Sequence, residues 1–86
     1  KSMEYQVKIK PRARKELNKV PKNDYYRILA ALAVLASNPF IGKKMKGDYK
    51  NYYTHRVWPY RIIFQIIRKQ LLVFIVRIGK RKNVYK

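Results

Sequence analysis

Residues 51–77 set the strongest limit on what this chain can fold into. The runs NYYTHRVW (51–58), YRIIFQIIR (60–68) and LLVFIVR (71–77) follow one another with only Pro59, then Lys69-Gln70, between them. In the middle run Tyr60, Ile62, Phe64 and Ile66 alternate with Arg61, Ile63, Gln65 and Ile67. A period of two puts each set on its own face of a strand. Pro59 makes a tight bend and Lys69-Gln70 a hairpin turn, so three antiparallel strands are expected. The first set should pack on a core. The second set faces outward and places Arg61 and Gln65 in the open.

The preceding residues supply what covers that core. In EYQVKIK (4–10), Tyr5, Val7 and Ile9 share one face of another strand. Pro11 suits the first turn of a short helix over 11–19, with Ala13, Leu17 and Val20 on one side, and Pro21 interrupts it. A second helix is expected over 22–37, stopped by Asn38-Pro39. Its apolar residues (Ile28, Leu29, Leu32, Val34, Leu35) run nearly all round, which predicts burial on more than one side or a surface awaiting a partner. The segment FIGKKMKGDYKN (40–51), with two glycines and four lysines, reads as a loop. The order β-α-α-β-β-β predicts the α+β class, a small antiparallel sheet with two N-terminal helices on one face. The other face is where a site is expected.

Charge narrows the partners. Twenty-two Lys and Arg stand against four acids (Glu4, Glu16, Asp24, Asp48), a net charge of +18. Self-repulsion of that size implies a polyanion, with nucleic acid first and an acidic protein second. There is no cysteine and one histidine, so thiolate and multi-ligand metal sites lack their donors, and no metal or other cofactor is expected. The apolar runs are too short to cross a membrane, and the start KSMEYQVKIK has no apolar signal region, so a soluble cytoplasmic protein is expected. Lys1 and Ser2 ahead of Met3 read as cloning residues, leaving one domain over 3–86.

Alternation in 51–58 sets Thr54 and Arg56 on one face and Tyr53, His55 and Val57 on the other. With Val57 in the core, Arg56 lies beside Arg61. Arg77 ends the last strand, and Gly79 is read as the exit bringing Lys80, Arg81 and Lys82 round to the same face. The plain alternative is a solvated basic face. Lys46 and Lys50 of the loop are candidates for phosphate contact. Tyr49, Tyr52, Tyr53 and Tyr60 either stack on bases or simply pack. His55 reads as a half-buried structural histidine, and Trp58 as packing at the hairpin end.

The run Y-T-H-R-V-W-P-Y-R-I-I-F-Q-I, followed by V-R-I-G-K-R-K-N-V-Y-K, resembles the RelE family of the RelE/ParE toxin superfamily. The resemblance spans 3–86, and its most specific parts are Arg56 to Arg61 and Gly79 to Tyr85. It implies the toxin of a type II toxin–antitoxin pair that enters the ribosomal A site and cleaves messenger RNA there without metal. The implied roles are catalytic for Arg61, Arg81 and Tyr85. Tyr85 would accept the 2′-hydroxyl proton, neighbouring cations favouring its phenolate form, or orient the nucleophile. Arg61 would hold the phosphate, and Arg81 would stabilise the leaving oxygen electrostatically. Arg56, Lys80, Arg77, Lys46 and Lys50 would bind substrate. In one departure, Thr54 stands where many relatives carry a cation, which Lys46, Lys50 or Lys80 would then supply. A cognate acidic, RelB-like antitoxin is the implied partner, and operator DNA is contacted chiefly through it. The alternatives are a ParE-like inhibitor of DNA gyrase and a non-catalytic nucleic-acid-binding module.

Overall fold

The computed structural model describes residues 4–80. Strand β1 (Gln6–Ile9) leads into helix α1 (Pro11–Asn18) and helix α2 (Lys22–Ser37). Four strands follow: β2 (Lys43–Lys44), β3 (Tyr53–Val57), β4 (Tyr60–Ile67) and β5 (Leu72–Lys80). They form one sheet in the order β1-β5-β4-β3-β2.

Each helix is bounded as its sequence dictates. Pro11 sits in the first turn of α1, where its missing N–H would have no partner anyway. Ala13 and Leu17, one turn apart, are fully buried against the sheet. In α2 the buried stripe is Ile28, Ala31, Leu32 and Leu35, helical spacing on one side. The Asn38 N–H closes α2 on the Val34 carbonyl, while its side chain accepts from the Phe40 N–H at 3.2 Å to open a 3-10 turn over Pro39–Ile41. The apolar residues that run round α2 are not all buried: Val34 stays 49% exposed and Tyr26 is exposed too.

The sheet differs from the expected antiparallel one in three ways. First, β1 pairs parallel to β5, Val7 opposite Val73 and Ile9 opposite Ile75, so the sheet is mixed. Second, the lysine-rich segment is not all loop: Lys43 and Lys44 pair antiparallel with Thr54 and Tyr53. Gly42 permits that approach, because a Cβ there would stand 2.5 Å from Cζ of the buried Phe64 ring. Third, β5 continues through Gly79 to Lys80 rather than ending at Arg77.

A bulge makes the third change possible. Ile63 pairs with Arg77 and Phe64 with Ile75, which leaves Val76 without a partner on β4. Strict alternation from Val73 and Ile75 would carry Arg77 into the core. The extra residue moves Arg77 to the opposite face and returns Ile78, 1% exposed, to the core. Tyr60, Ile62, Phe64, Val73, Ile75 and Ile78 then meet Leu17, Ile28 and Leu35 of the helices, as the alternation in 60–67 predicts. A 3-10 turn over Arg68–Gln70 and Leu71 in the left-handed region (φ 51) link β4 to β5.

Candidate nucleic-acid interface

Register carries the outward set onto the face away from the helices. Arg56 stands directly opposite Arg61, and Arg61 opposite Gly79. The adjoining row runs Lys43, Thr54, Ile63, Arg77. These two rows are the heart of the site. Directly opposed like charges destabilise a sheet, and Arg56 against Arg61 is such a pair. Ile63, in the row beside it, is nearly fully buried although it lies off the helix-facing core.

The segment after β2 folds back as a wall. The Met45 N–H donates to the Tyr52 carbonyl at 2.9 Å, and Gly47 takes a left-handed conformation (φ 68) that opens a 3-10 turn over Gly47–Tyr49. Between this wall and the sheet lies a cleft of about 410 Å³, lined by Lys43, Lys44, Lys46, Tyr49, Thr54 and Arg61. An adjacent cleft of about 400 Å³ brings Lys50 beside Lys44 and Lys46. Thr54 is only 9% exposed, and its Oγ1 has no hydrogen-bond partner among the described residues. The site therefore gathers cations with long reach around a floor of short and apolar side chains. Such a surface suits a phosphodiester backbone.

The residues expected at the site divide accordingly. Arg61 and Lys46 line the larger cleft, Lys46 and Lys50 the smaller, and exposed Arg56 flanks Arg61. Arg77 shares the face, but its guanidinium is engaged by Glu16 of α1, Nε donating at 2.9 Å and Nη2 at 2.8 Å from the carboxylate. Lys80 pairs with Tyr60, whose ring is in the core, so alternation turns it away from the Arg61 side. Arg81 and Tyr85 lie outside the described residues. Lys43 was not among the expected residues. A two-residue strand is too short to show alternation, though the preceding glycine marks a close backbone approach.

The aromatic and histidine readings also divide. Tyr53 stacks on Phe64 (centroids 5.8 Å apart) and Tyr60 is buried, so both are packing residues. Tyr49 and Tyr52 contact each other at 6.1 Å on the wall, Tyr49 facing the cleft. His55 pairs with Ile62 on the helix side, and desolvation pushes its pKa below the ordinary imidazole value. Trp58 does not pack as expected: it is 61% exposed at the β3–β4 turn. Among the described residues no three His, Cys, Asp or Glu side chains cluster to hold a metal, and no helix is long and apolar enough to cross a membrane.

Comparison with known proteins places this geometry. The family model described as the ParE toxin of type II toxin–antitoxin systems, parDE, matches residues 7–85. The chain is 33% identical over 83 residues to a RelE-like toxin protein of Escherichia coli, covering 94% of this chain and 87% of that one. It is 28% identical over 90 residues to toxin RelG of Mycobacterium tuberculosis, covering 98% and 99%. Among solved structures, the RelBE2 toxin–antitoxin complex of Mycobacterium tuberculosis contains a chain with a TM-score of 0.84 and 25% identity, over 91% of this chain and 99% of that chain. The archaeal RelE-RelB complex of Pyrococcus horikoshii gives 0.79 and 27%, over 95% and 100%. The fold, the basic open face and these likenesses together place the chain in the RelE/ParE superfamily, the toxins of type II toxin–antitoxin systems.

Proposed function

We propose that this toxin is a ribosome-dependent endoribonuclease that cleaves messenger RNA in the A site. The observation that carries the proposal is the opposed pair Arg56 and Arg61 beside a lysine-lined cleft. Arginines at directly opposed register positions can both reach one anion, and their planar donors match phosphate oxygens. Strand β5 places Gly79 opposite Arg61, and Arg81 follows Gly79 by two residues in the sequence.

In the proposed reaction the ribose 2′-oxygen attacks the adjacent phosphorus as Tyr85 accepts the hydroxyl proton. The P–O5′ bond breaks and a 2′,3′-cyclic phosphate forms. Arg61 stabilises the charge growing on the phosphoryl oxygens. Arg81 stabilises the departing 5′-oxygen, which takes a proton from solvent. Arg56, Lys46 and Lys50 hold the flanking backbone. Arg77, engaged by Glu16, is assigned to tethering α1 rather than to substrate.

Solved relatives include complexes of RelE with RelB, which supports an acidic antitoxin as the partner of this chain. Carboxylates laid over the open face would also relieve the self-repulsion of +18. The test is sequencing of RNA ends in cells expressing the wild type, Arg61→Ala or Tyr85→Phe. Codon-phased ends in the wild type alone support the reading. Equal cleavage in all three sinks the assigned roles.

The matching family model is described for ParE, so inhibition of DNA gyrase is the second reading. Loss of supercoiling activity in vitro with messages intact in cells would favour it.

A further inference from the structure

We infer that Lys43 is a substrate-positioning residue, its ammonium reaching past Thr54 to hold a phosphate that flanks the one at Arg61. The inference rests on the nuclease reading only for the identity of the polyanion as RNA. The subsite itself is read from the fold.

Register comes first. Lys43 stands directly opposite Thr54. Opposed residues point to the same side of a sheet, so Lys43 is on the Arg61 side. From β2 to β4 is two inter-strand spacings, about 10 Å. Two long cationic side chains starting that far apart can close on neighbouring phosphates, and both line the same cleft.

Thr54 explains why the cation comes from β2. It is short and almost wholly buried, so it offers the cleft floor no charge. Its small side chain leaves the space above it to Lys43. Among the described residues no ion pair joins an acid to Lys43: Glu16 holds Arg77, Asp24 pairs with Arg27, and Glu4 accepts from Ser37.

The backbone beneath Lys43 is also fixed. Gly42 lies against the buried Phe64 ring, and Lys43 is tied into the sheet through β3. A lysine on a solvated loop must be ordered when it binds. Lys43 starts from an anchored strand, so less freedom is lost on binding.

The experiment uses the full chain and a single-stranded 2′-O-methyl oligoribonucleotide, whose blocked 2′-oxygen cannot react. Binding is measured over a salt series for the wild type, Lys43→Ala, Lys43→Arg and, as an equal loss of charge elsewhere, Lys15→Ala on α1. Losing one phosphate contact should weaken Lys43→Ala about tenfold at low salt and flatten the slope of log affinity against log salt by about 0.7. Lys43→Arg and Lys15→Ala should retain the wild-type slope. Adding Thr54→Lys to Lys43→Ala should restore it by returning a cation one strand over. Should that double variant not fold, Lys43→Arg carries the same comparison.

Equal losses in Lys43→Ala and Lys15→Ala would overturn the inference, as would unaltered binding in Lys43→Ala or no binding by the wild type. Failure of the nuclease reading looks different: messages stay intact in cells while the salt slopes still single out Lys43.

Discussion

Arg56 and Arg61 face each other across the β3–β4 hairpin, the first exposed and the second lining the cleft. Like charges opposed in this way repel each other, and an anion bound beside them offsets that repulsion. Removing the exposed member should therefore stabilise the free chain. Arg56→Gln is expected to raise its stability by about 0.5 kcal/mol at low salt, with the gain fading as salt screens the pair. Denaturant titrations at two salt concentrations measure this. The same variant should bind RNA less tightly, so that stability and affinity move in opposite directions.

Glu16 makes the opposite kind of contact, joining elements far apart in sequence. One carboxylate oxygen accepts from the Ile78 N–H at 2.8 Å, and the other takes the Arg77 guanidinium. Glu16→Ala leaves a partly buried N–H without its acceptor and should destabilise the chain by about 1–2 kcal/mol. Glu16→Gln keeps an oxygen for Ile78 and should lose about half of that. A double-mutant cycle with Arg77→Met separates the ion pair from the backbone contact. If Arg77 tethers α1 to β5, Arg77→Met reduces stability and leaves the salt dependence of RNA binding unchanged.

The strands that place Arg56 and Arg61 were legible because β3 and β4 are long enough for alternation to repeat, with tight turns at both ends of β4. The mixed sheet was not, because nothing local in Gln6–Ile9 says that β1 pairs with a strand more than sixty residues away. The bulge at Val76 was hidden by composition, since Ile75, Val76 and Ile78 are apolar on either phase. Its consequence decides where Arg77 and Lys80 point, so the placement of the cations was readable in the hairpin and not at Lys80. Lys43 was hidden differently, by a strand of two residues within a run of lysines.

Gly42 is the hinge between the Phe64 ring and the start of β2. A methyl group there would meet the ring at 2.5 Å, and that ring is fully buried and cannot swing aside. Gly42→Ala should therefore cost about 1–3 kcal/mol, as overpacking of a filled core does. Because Lys43 follows directly, the variant should also weaken RNA binding more than its loss of stability explains. Combining it with Phe64→Leu makes room for the methyl group, so the two changes together should cost less than their sum. Thermal unfolding of the four chains, wild type included, is the measurement.

His55 gives the fold a pH dependence of definite sign. It is partly buried on the helix side of β3, and desolvation lowers its pKa below the ordinary value of about 6.5. Above that value the imidazole is neutral in both folded and unfolded chains and contributes no pH dependence. As the pH falls below about 6.5, the unfolded chain takes up a proton that the folded chain resists, and stability declines. The decline stops once the pH drops below the lowered folded value, where both states carry the proton. His55→Gln removes the titrating group, so the slope of stability against pH should flatten between mildly acidic and neutral conditions. Cleavage in His55→Gln should follow the remaining folded fraction, because His55 lies on the side of the sheet away from Arg61. A loss of cleavage well beyond that fraction would instead place the histidine in the reaction.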